Sequence, residues 1–559
     1  MENISIVERI KSNWKSGITV AFVSIPLALA LAIASGATPT QGIITAFWAG
    51  LLGAILGGSH FNIIGPTGAL SGILMTFVIV NGYAVLPVVA IVSGLITLAV
   101  YFLKLDRYII FIPKVVVHGF TLGVAFIIVL GQLDNMLGLK DIPKTEVLTD
   151  NVLTSLRHYA EINWVIFAIF IILTLFIIFW NKKFPKFPGA IVVAVVSIAT
   201  VFIFREWLKI DFEILTLSDN YPEVEAGFFF NVWGTLRPEI FLDKEIWAVS
   251  IATSVIAILE TLISGQIADN MTNTKFDRSM EVLSLAIANI GSGVMGGIPA
   301  TAALARTALN IKSGANNRMS GIINSAAIIV IALLLFGFFK HLPMVAIAAI
   351  LVVVSINMVE TKHFITLVKN EKVAFVLSIF VAIITIVYDP IAGILTGSFF
   401  ALLIFVNEIA KGQTEIQLWE NWKMKENFLL DEYKEQYGTS CDFIVLKISG
   451  MLTYINMPAY LDTAKMMKQN KFVIISLRTA FYADSDGVSY LEEIIGILKQ
   501  QNERVIITGI NKEIENLVKD ADFYKEFKSK NNIFENVSHA IDHLKEIHGV
   551  SEVETADIE

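Results

Sequence analysis

A single cysteine, Cys441, among 559 residues leaves no partner for an intrachain disulfide and no set of thiolates for a metal centre. Charge is scarce too. Only 16% of the residues are Asp, Glu, Lys or Arg, 55% are apolar, and the mean hydropathy is +0.67. A chain so poor in charge cannot clothe a soluble surface, which excludes an ordinary soluble globular protein. Catalytic signatures are missing as well: there is no P-loop, no His-rich metal site, and no Cys or Ser nucleophile with a base at motif spacing. An enzyme is not expected, nor is a metal or a cofactor. The net charge of −8 is mild and gives no reason to expect nucleic acid as a partner. The opening run MENISIVERIKSNWKSG has no small-residue cleavage site after the first apolar stretch, so residues 1–16 read as a retained cytoplasmic segment rather than a signal peptide.

What the chain does contain is long apolar runs. Stretches such as 164–180, 191–204, 246–267 and 373–388 cross or nearly cross the roughly 30 Å of hydrocarbon in a bilayer. The reading is an α-helical multi-pass membrane protein with its membrane domain at 17–412. From about residue 415 the composition turns polar. A linker is expected at 413–440, then a small α/β domain at 441–548, in which FIVLKISG (443–450), KFVIISLR (471–478) and ERVIITGI (503–510) read as buried strands separated by helical spacing. Residues 549–559, SEVETADIE with its two preceding residues, close the chain as an acidic disordered tail.

With fourteen crossings and a cytoplasmic N-terminus, the basic residues fall in one alternate set of loops: Lys104, Arg107 and Lys114; Lys182, Lys183 and Lys186; Lys275 and Arg278; Lys312 and Arg318; Lys362, Lys369 and Lys372. The two long loops on the other side, 132–161 and 205–245, are acid-rich. This asymmetry places the basic loops and the α/β domain in the cytoplasm. Twelve crossings would give the same sidedness.

Two segments echo each other. GGSHFNIIGPTGAL (57–70) and MGGIPATAAL (295–304) each carry a Gly pair, a Pro and a Thr-small-Ala-Leu ending, and each falls third in its half if there are seven crossings per half. An odd number per half inverts the halves, and paired Gly/Pro interruptions at matching positions point to a transporter site. Irregular backbone at that depth must be enclosed by protein or line a water-filled cavity. The half-helices that follow present free N–H groups, each end equivalent to about +0.5 charge, so two ends meeting form an anion cradle. Three ionisable residues lie in apolar segments: Glu260, Arg306 and Asp389. Each costs about 2.5 to 3.5 kcal/mol or more at a helix centre unless paired or hydrated, and is functional by default. Glu260 is expected to take up a proton and become neutral as an anion enters. Arg306 points either toward the cradle or away from it. Asp389 reads as a helix cap beside Pro390, and His118 as a packing or interface residue.

At these residues the chain resembles the sulfate permease (SulP) family of anion transporters. The motifs that carry the resemblance, in order, are SIPLALALAIASG (24–36), GGSHFNIIGPTGA (57–69), LETLISGQIAD (259–269) and GGIPATAALARTALNIKSGANNRMSGIINS (296–325). The C-terminal domain resembles the STAS domain that ends most members. The resemblance implies 14 transmembrane segments as 7+7 inverted repeats, divided into core and gate domains that move like an elevator, in a homodimer. It puts the anion between the helix starts after Gly65-Pro66 and after Pro299-Ala300, lined by Thr67, Gly68, Ala69, Ala302, Ala303 and Leu304. Arg306 would supply positive potential there, and Glu260 holds the acidic position tied to coupling. The implied activity is secondary active transport of a small anion of the sulfate, bicarbonate or dicarboxylate class across the inner membrane, in symport with a proton. A sodium-coupled bicarbonate transporter and an uncoupled channel or exchanger of the same fold are the alternatives. Leu27 and Leu31 stand where eukaryotic sulfate transporters carry polar and aromatic groups. Leu304 stands where sodium-dependent relatives carry a hydroxyl, and a Leu cannot coordinate a hard cation. In the STAS part, Asp484-Ser485-Asp486-Gly487 has an Asp at the second hydroxyl position of the related phosphorylated motif, so a fixed negative charge at a helix start is expected in place of a phosphate switch.

Overall fold

The computed structural model describes residues 5–547 except 106, 108–112, 141, 143–144, 146–147, 185–187, 208–213, 223–228, 230–237, 389, 411–414, 430–442 and 468–471. Asp389, Lys186, Cys441 and the acidic tail lie outside the described residues. The chain divides into two compact units, Met1–Ala401 and Leu402–Glu559.

The first unit is built from helices. Its first half holds α1 (Ile6–Ala34), α2 (Pro39–Leu56), α3 (Gly68–Asn81), α4 (Leu86–Phe102), α5 (Lys114–Gly131), the short α6 (Leu133–Leu137) and α7 (Leu148–Arg157), α8 (Trp164–Lys183) and α9 (Gly189–Phe202). Its second half holds the one-turn α10 (Leu217–Asn220), α11 (Lys244–Thr272), α12 (Arg278–Val294), α13 (Leu304–Lys312), α14 (Met319–Phe339), α15 (Met344–Met358), the amphipathic α16 (Thr361–Asn370), α17 (Lys372–Val387) and the first part of α18 (Pro390–Ala410), up to Ala401. Setting aside α6, α7, α10 and α16 leaves seven helices in each half among the described residues, with α3 and α13 third in each. Seven of the described spans are long and apolar enough to cross a membrane alone, and others are shorter apolar helices. Local signals set several starts. Ser5 with Glu8 and Thr38 with Gln41 form reciprocal capping boxes, and Pro39 follows Thr38 at the first helical position.

The packing repeats under exchange of the halves. α1 packs on α14 as α4 packs on α11; α2 on α14 as α4 on α12; α1 on α13 as α3 on α11; α5 on α17 as α8 on α15. α2–α12 and α5–α15 are their own counterparts. A pseudo-two-fold axis therefore runs through the unit, and inverted repeats of this kind place sites at their interface. Apolar packing in lipid depends on close approach, and the α4–α12 seam achieves it through glycine. A Cβ at Gly94 would lie 2.7 Å from Ile290 Cγ1 and 2.8 Å from the Ala286 carbonyl oxygen. Outward side chains on α8, α14 and α18, including Ile172, Leu334 and Leu395, are exposed and apolar, as lipid-facing surfaces are.

The two interrupted segments meet at the axis. β1 (Ile64–Gly65) pairs antiparallel with β2 (Thr301–Ala302), Ile64 opposite Ala302 and Gly65 opposite Thr301. This corrects the sequence alignment of the two echoes. Pro66 follows β1, whereas Pro299 precedes β2, so the two prolines do not occupy equivalent places. Consequently α13 starts at Leu304, four residues after Ala300, because residues 301–302 are drawn into the strand pair.

The second unit contains a six-stranded sheet of order β10-β9-β7-β5-β3-β4. The strands are β3 (Glu415–Glu420), β4 (Lys423–Leu429), β5 (Phe443–Lys447), β7 (Phe472–Ser476), β9 (Arg504–Thr508) and β10 (Ile533–Phe534), with a separate parallel pair β6 (Gly450–Leu452) and β8 (Ala480–Ala483). Helices α19 (Met457–Met466), α20 (Ser485–Gln501), α21 (Lys512–Val518), α22 (Asp522–Ser529) and α23 (Val537–Ile547) complete it. Alternate residues of β5 face two separate cores: Ile444 and Leu446 on one side, Phe443 and Val445 on the other. Burial on both faces explains why these strands read as continuous apolar runs. The segment expected to be a linker, 413–440, instead supplies β3 and β4, antiparallel to each other and to β5. β4 is an exposed edge strand whose first residues are mostly charged or polar, so its sequence carries no continuous apolar run. Asp484 caps α20, accepting the Gly487 N–H at 2.6 Å, which suits a negative charge at that helix start.

Gly94→Ala is expected to lower stability by about 1 to 3 kcal/mol through overpacking. The thermal midpoint of the detergent-solubilised protein should fall accordingly, while Gly131→Ala, whose added Cβ meets nothing within 4 Å, should leave it unchanged.

Candidate anion site

Strand pairing of only two residues cannot satisfy the irregular backbone on either side of it, and buried polar side chains take over. Asn289 of α12 acts as a surrogate strand: its Oδ1 accepts the Ala300 N–H at 2.8 Å and its Nδ2 donates to the Ala300 carbonyl at 3.0 Å. Thr45 of α2 accepts the Ile298 N–H at 2.7 Å. Thr261 of α11 accepts the Ala302 N–H at 3.1 Å, and the Ala303 N–H donates to the Ile63 carbonyl at 3.1 Å. These are the partners that non-helical backbone needs where water is scarce.

The helix starts are treated differently. Neither Thr67, the N-cap of α3, nor Ala303, the N-cap of α13, provides a side-chain cap. The first-turn N–H groups of Gly68, Ala69 and Leu70, and of Leu304, Ala305 and Arg306, therefore lack the partners that intrahelical bonding or capping would supply. The N–H groups of Ala302 and Ala303 are engaged in scaffolding, so the free first-turn donors on this side are those of Leu304 and Ala305. Sequence reasoning singled out neither Ala305 nor Leu70; the start of α13 depends on the strand register and not on the proline. Leu304 is 42% exposed, at the open side of the cradle, whereas Thr67, Ala69 and Ala302 are buried.

The two directions left open for Arg306 resolve to one. Its side chain is 2% exposed and reaches across to the other half-segment, where Nη2 donates to the Pro66 carbonyl at 2.5 Å. Gly65 makes room for it: a Cβ there would lie 2.7 Å from Nη1. The guanidinium thus sits beside the start of α3, although the residue belongs to α13. Glu260, on α11, lies within electrostatic range of Arg306 and close to Thr67. Thr67 Oγ1 is buried yet closes no hydrogen bond of ordinary geometry. Glu260 is half-buried and borders a narrow crevice lined also by Val116, Val117 and Thr121 of α5 and Ile394 of α18, with room for about one water. His118 is not part of this site. Its ring packs on that of His363 of α16, centroids 3.9 Å apart, so it is an interhelical packing residue as expected. Among the described residues no cluster of three or more potential ligands could hold a metal ion.

Chemically, the arrangement offers N–H donors from two opposed helix starts, a guanidinium, an unpartnered hydroxyl and one carboxylate. Enclosed by an inverted repeat of seven and seven segments, it defines a membrane transporter of the anion-handling class. Comparison with known proteins gives the family. Residues 10–382 match the Sulfate permease family, and residues 433–540 match the STAS domain. YvdB of Bacillus subtilis, a putative sulfate transporter, is 28% identical over 554 residues, which cover 97% of this chain and 98% of that protein. The bicarbonate transporter BicA of a Picosynechococcus species is 24% identical over 418 residues, 73% of this chain and 72% of that protein. The fold of SLC26A9 superposes with a TM-score of 0.79 at 14% identity, covering 98% of this chain and 93% of that one. The chain belongs to the sulfate permease family: it is a multi-pass membrane transporter carrying a C-terminal STAS domain, and not an enzyme.

Gly65→Ala is expected to push the guanidinium off the Pro66 carbonyl, leaving a buried cation without its acceptor at a cost of about 3 kcal/mol or more. The paired variant Gly65→Ala/Arg306→Ala should lose less stability than the sum of its parts, since the group that clashes is gone. A double-mutant cycle in thermal midpoint measures the difference.

Proposed function

We propose that this chain is a secondary active transporter that carries one small anion in symport with a proton. The single observation that supports this reading is the convergence of two uncapped helix starts and a buried Arg306 with the protonatable Glu260, across the unpartnered Thr67 hydroxyl. An anion entering the cradle adds negative charge next to Glu260. Two negative groups at low dielectric repel strongly, so anion binding favours a protonated carboxyl, and occupancy by the anion draws in the proton. A fixed negative charge beside the path would obstruct a passive anion channel, which argues for coupled carriage. Leu304 offers no oxygen to a hard cation, which argues against sodium as the coupling ion.

Alternation between the two sides would follow from movement of the helices around α3 and α13 as one body against the rest, the elevator-like motion that the family resemblance implies. The protein works as a homodimer in the inner membrane, with its N-terminus and STAS domain in the cytoplasm; the basic loops support this sidedness. Thr67, Gly68, Ala69, Ala302, Ala303, Leu304 and Arg306 form the anion site in this reading, and Glu260 carries the proton. Substrates belong to the sulfate, bicarbonate or dicarboxylate class, sulfate and bicarbonate being the anions for which YvdB and BicA are named.

Purified protein in liposomes should take up labelled anion faster under an inward proton gradient, with competition by sulfate, bicarbonate, fumarate, succinate, nitrate and chloride ordering the substrates. Glu260→Gln should abolish the gradient dependence and retain binding; gradient-driven uptake that survives this change rules out Glu260 as the coupling group. Arg306→Ala should weaken anion affinity about tenfold or more, as loss of a charge-assisted donor does. Unaltered affinity removes Arg306 from the site.

A further inference from the structure

A second carboxylate, on α12, is buried more completely than Glu260 and plays no part in the mechanism above. Glu281 is 1% exposed. Both of its oxygens accept: Oε2 takes the Ser59 N–H at 2.8 Å and Oε1 takes Asn62 Nδ2 at 2.7 Å. Asn62 lies in the irregular stretch before β1, and the other hydrogen on its Nδ2 goes to the Thr261 carbonyl at 3.2 Å. Both of these acceptors are unable to donate in return, so the amide has one orientation, and its Oδ1 must face Ser264.

Ser264 is the donor in the next two contacts: its Oγ lies 2.9 Å from Asn62 Oδ1 and 3.0 Å from Thr307 Oγ1, and its one hydroxyl hydrogen sits between the two acceptors. Thr307 Oγ1 in turn accepts the Ile63 N–H at 3.2 Å. The result is a connected chain: the Ile63 N–H and the Ser264 hydroxyl both donate to Thr307, Ser264 also donates to Asn62, and Asn62 donates to Glu281. All four side chains are buried. The chain leaves the β1 segment, passes through α13 at the residue after Arg306 and through α11, returns to the β1 segment and ends on α12.

We propose that Glu281 is a positioning residue for the anion cradle, the acceptor whose carboxylate fixes the orientation of Asn62 and, through Ser264 and Thr307, holds the two half-segments in register. Ile63 adjoins β1, and Thr307 adjoins Arg306. A chain that locks Ile63 to Thr307 fixes where the Pro66 carbonyl meets the guanidinium and how far apart the starts of α3 and α13 stand. Networks of this kind bind tightly only while each member is satisfied. An amide in place of the carboxylate would present a donor either to the Ser59 N–H or to Asn62. Turning Asn62 around to accommodate it would set oxygen against the Thr261 carbonyl. The inference rests on the reading of the cradle as the anion site.

The test uses the full-length protein in detergent and in liposomes, with labelled sulfate and labelled bicarbonate as probes, and with the thermal midpoint recorded for every variant. Glu281→Gln should weaken anion affinity about tenfold, the effect of one buried donor facing a donor. A role in stability alone would lower the thermal midpoint and leave the affinity of the folded protein unchanged. Ser264→Ala, which cuts the chain while leaving Glu281 satisfied, should weaken binding in the same direction and serves if Glu281→Gln fails to fold. Parental affinity in a folded Glu281→Gln or Ser264→Ala protein overturns the proposal. Arg306→Ala in the same assay separates the two readings: if it also leaves affinity unaltered, the cradle itself is wrong; if it weakens affinity while the chain variants do not, only the positioning role falls.

Discussion

Two pairs of residues, Ile64–Gly65 and Thr301–Ala302, hold each other in antiparallel register in the middle of a helical membrane unit. The constraint behind this is that backbone polar groups in a lipid-depth interior must find partners, and a helix interrupted there cannot provide them. The strand pair satisfies four residues. The flanks are satisfied by Asn289, Thr45, Thr261 and the chain ending on Glu281, all supplied by helices that surround the pair. Interruption has a use: it leaves α3 at fourteen residues and α13 at nine, with uncapped starts inside the protein. Everything the cradle can do electrostatically depends on that pair staying closed.

The charges are distributed so that no one half owns the site. Arg306 comes from the second half and binds the carbonyl of Pro66 in the first, through the gap left by Gly65. Glu260 comes from α11 and stands near Thr67 of the first half. A buried guanidinium is costly unless it is hydrogen-bonded and compensated. Here the carbonyl, the carboxylate and, in the proposed function, the anion share that task. The pseudo-two-fold packing of the helices makes this crossing possible, because exchange of the halves maps α1–α13 contacts on α3–α11 contacts. The charges themselves do not obey the symmetry: the position on α3 equivalent to Arg306 in α13, counted from the helix starts, is Leu70.

The α/β unit shows the opposite kind of legibility. β5, β7 and β9 are visible in sequence because both of their faces are buried, and an uninterrupted apolar run has no other stable home in a small domain. β4 is invisible for the converse reason. Its residues, KMKENFL, are exposed at an edge, and only pairing with β3 makes them a strand. A polar run between two domains reads as a linker unless the partner strand is known.

By itself the sequence determined the membrane class, the two interruptions, the three central strands of the α/β unit and the two intramembrane charges Glu260 and Arg306. These follow from hydropathy, periodicity and the rarity of charge in apolar runs, which are local properties. Only the tertiary structure decided that Pro66 and Pro299 are not equivalent, that α13 begins at Leu304, that the N–H groups of Ala302 and Ala303 are engaged, and that Arg306 turns toward Pro66. It also brought out Glu281, which in sequence is an ordinary acidic residue in the first turn of a helix whose N-cap is Asp277. Most of these depend on contacts between residues some two hundred positions apart, and hydrogen-bond pairing across such a distance leaves no trace in composition or spacing.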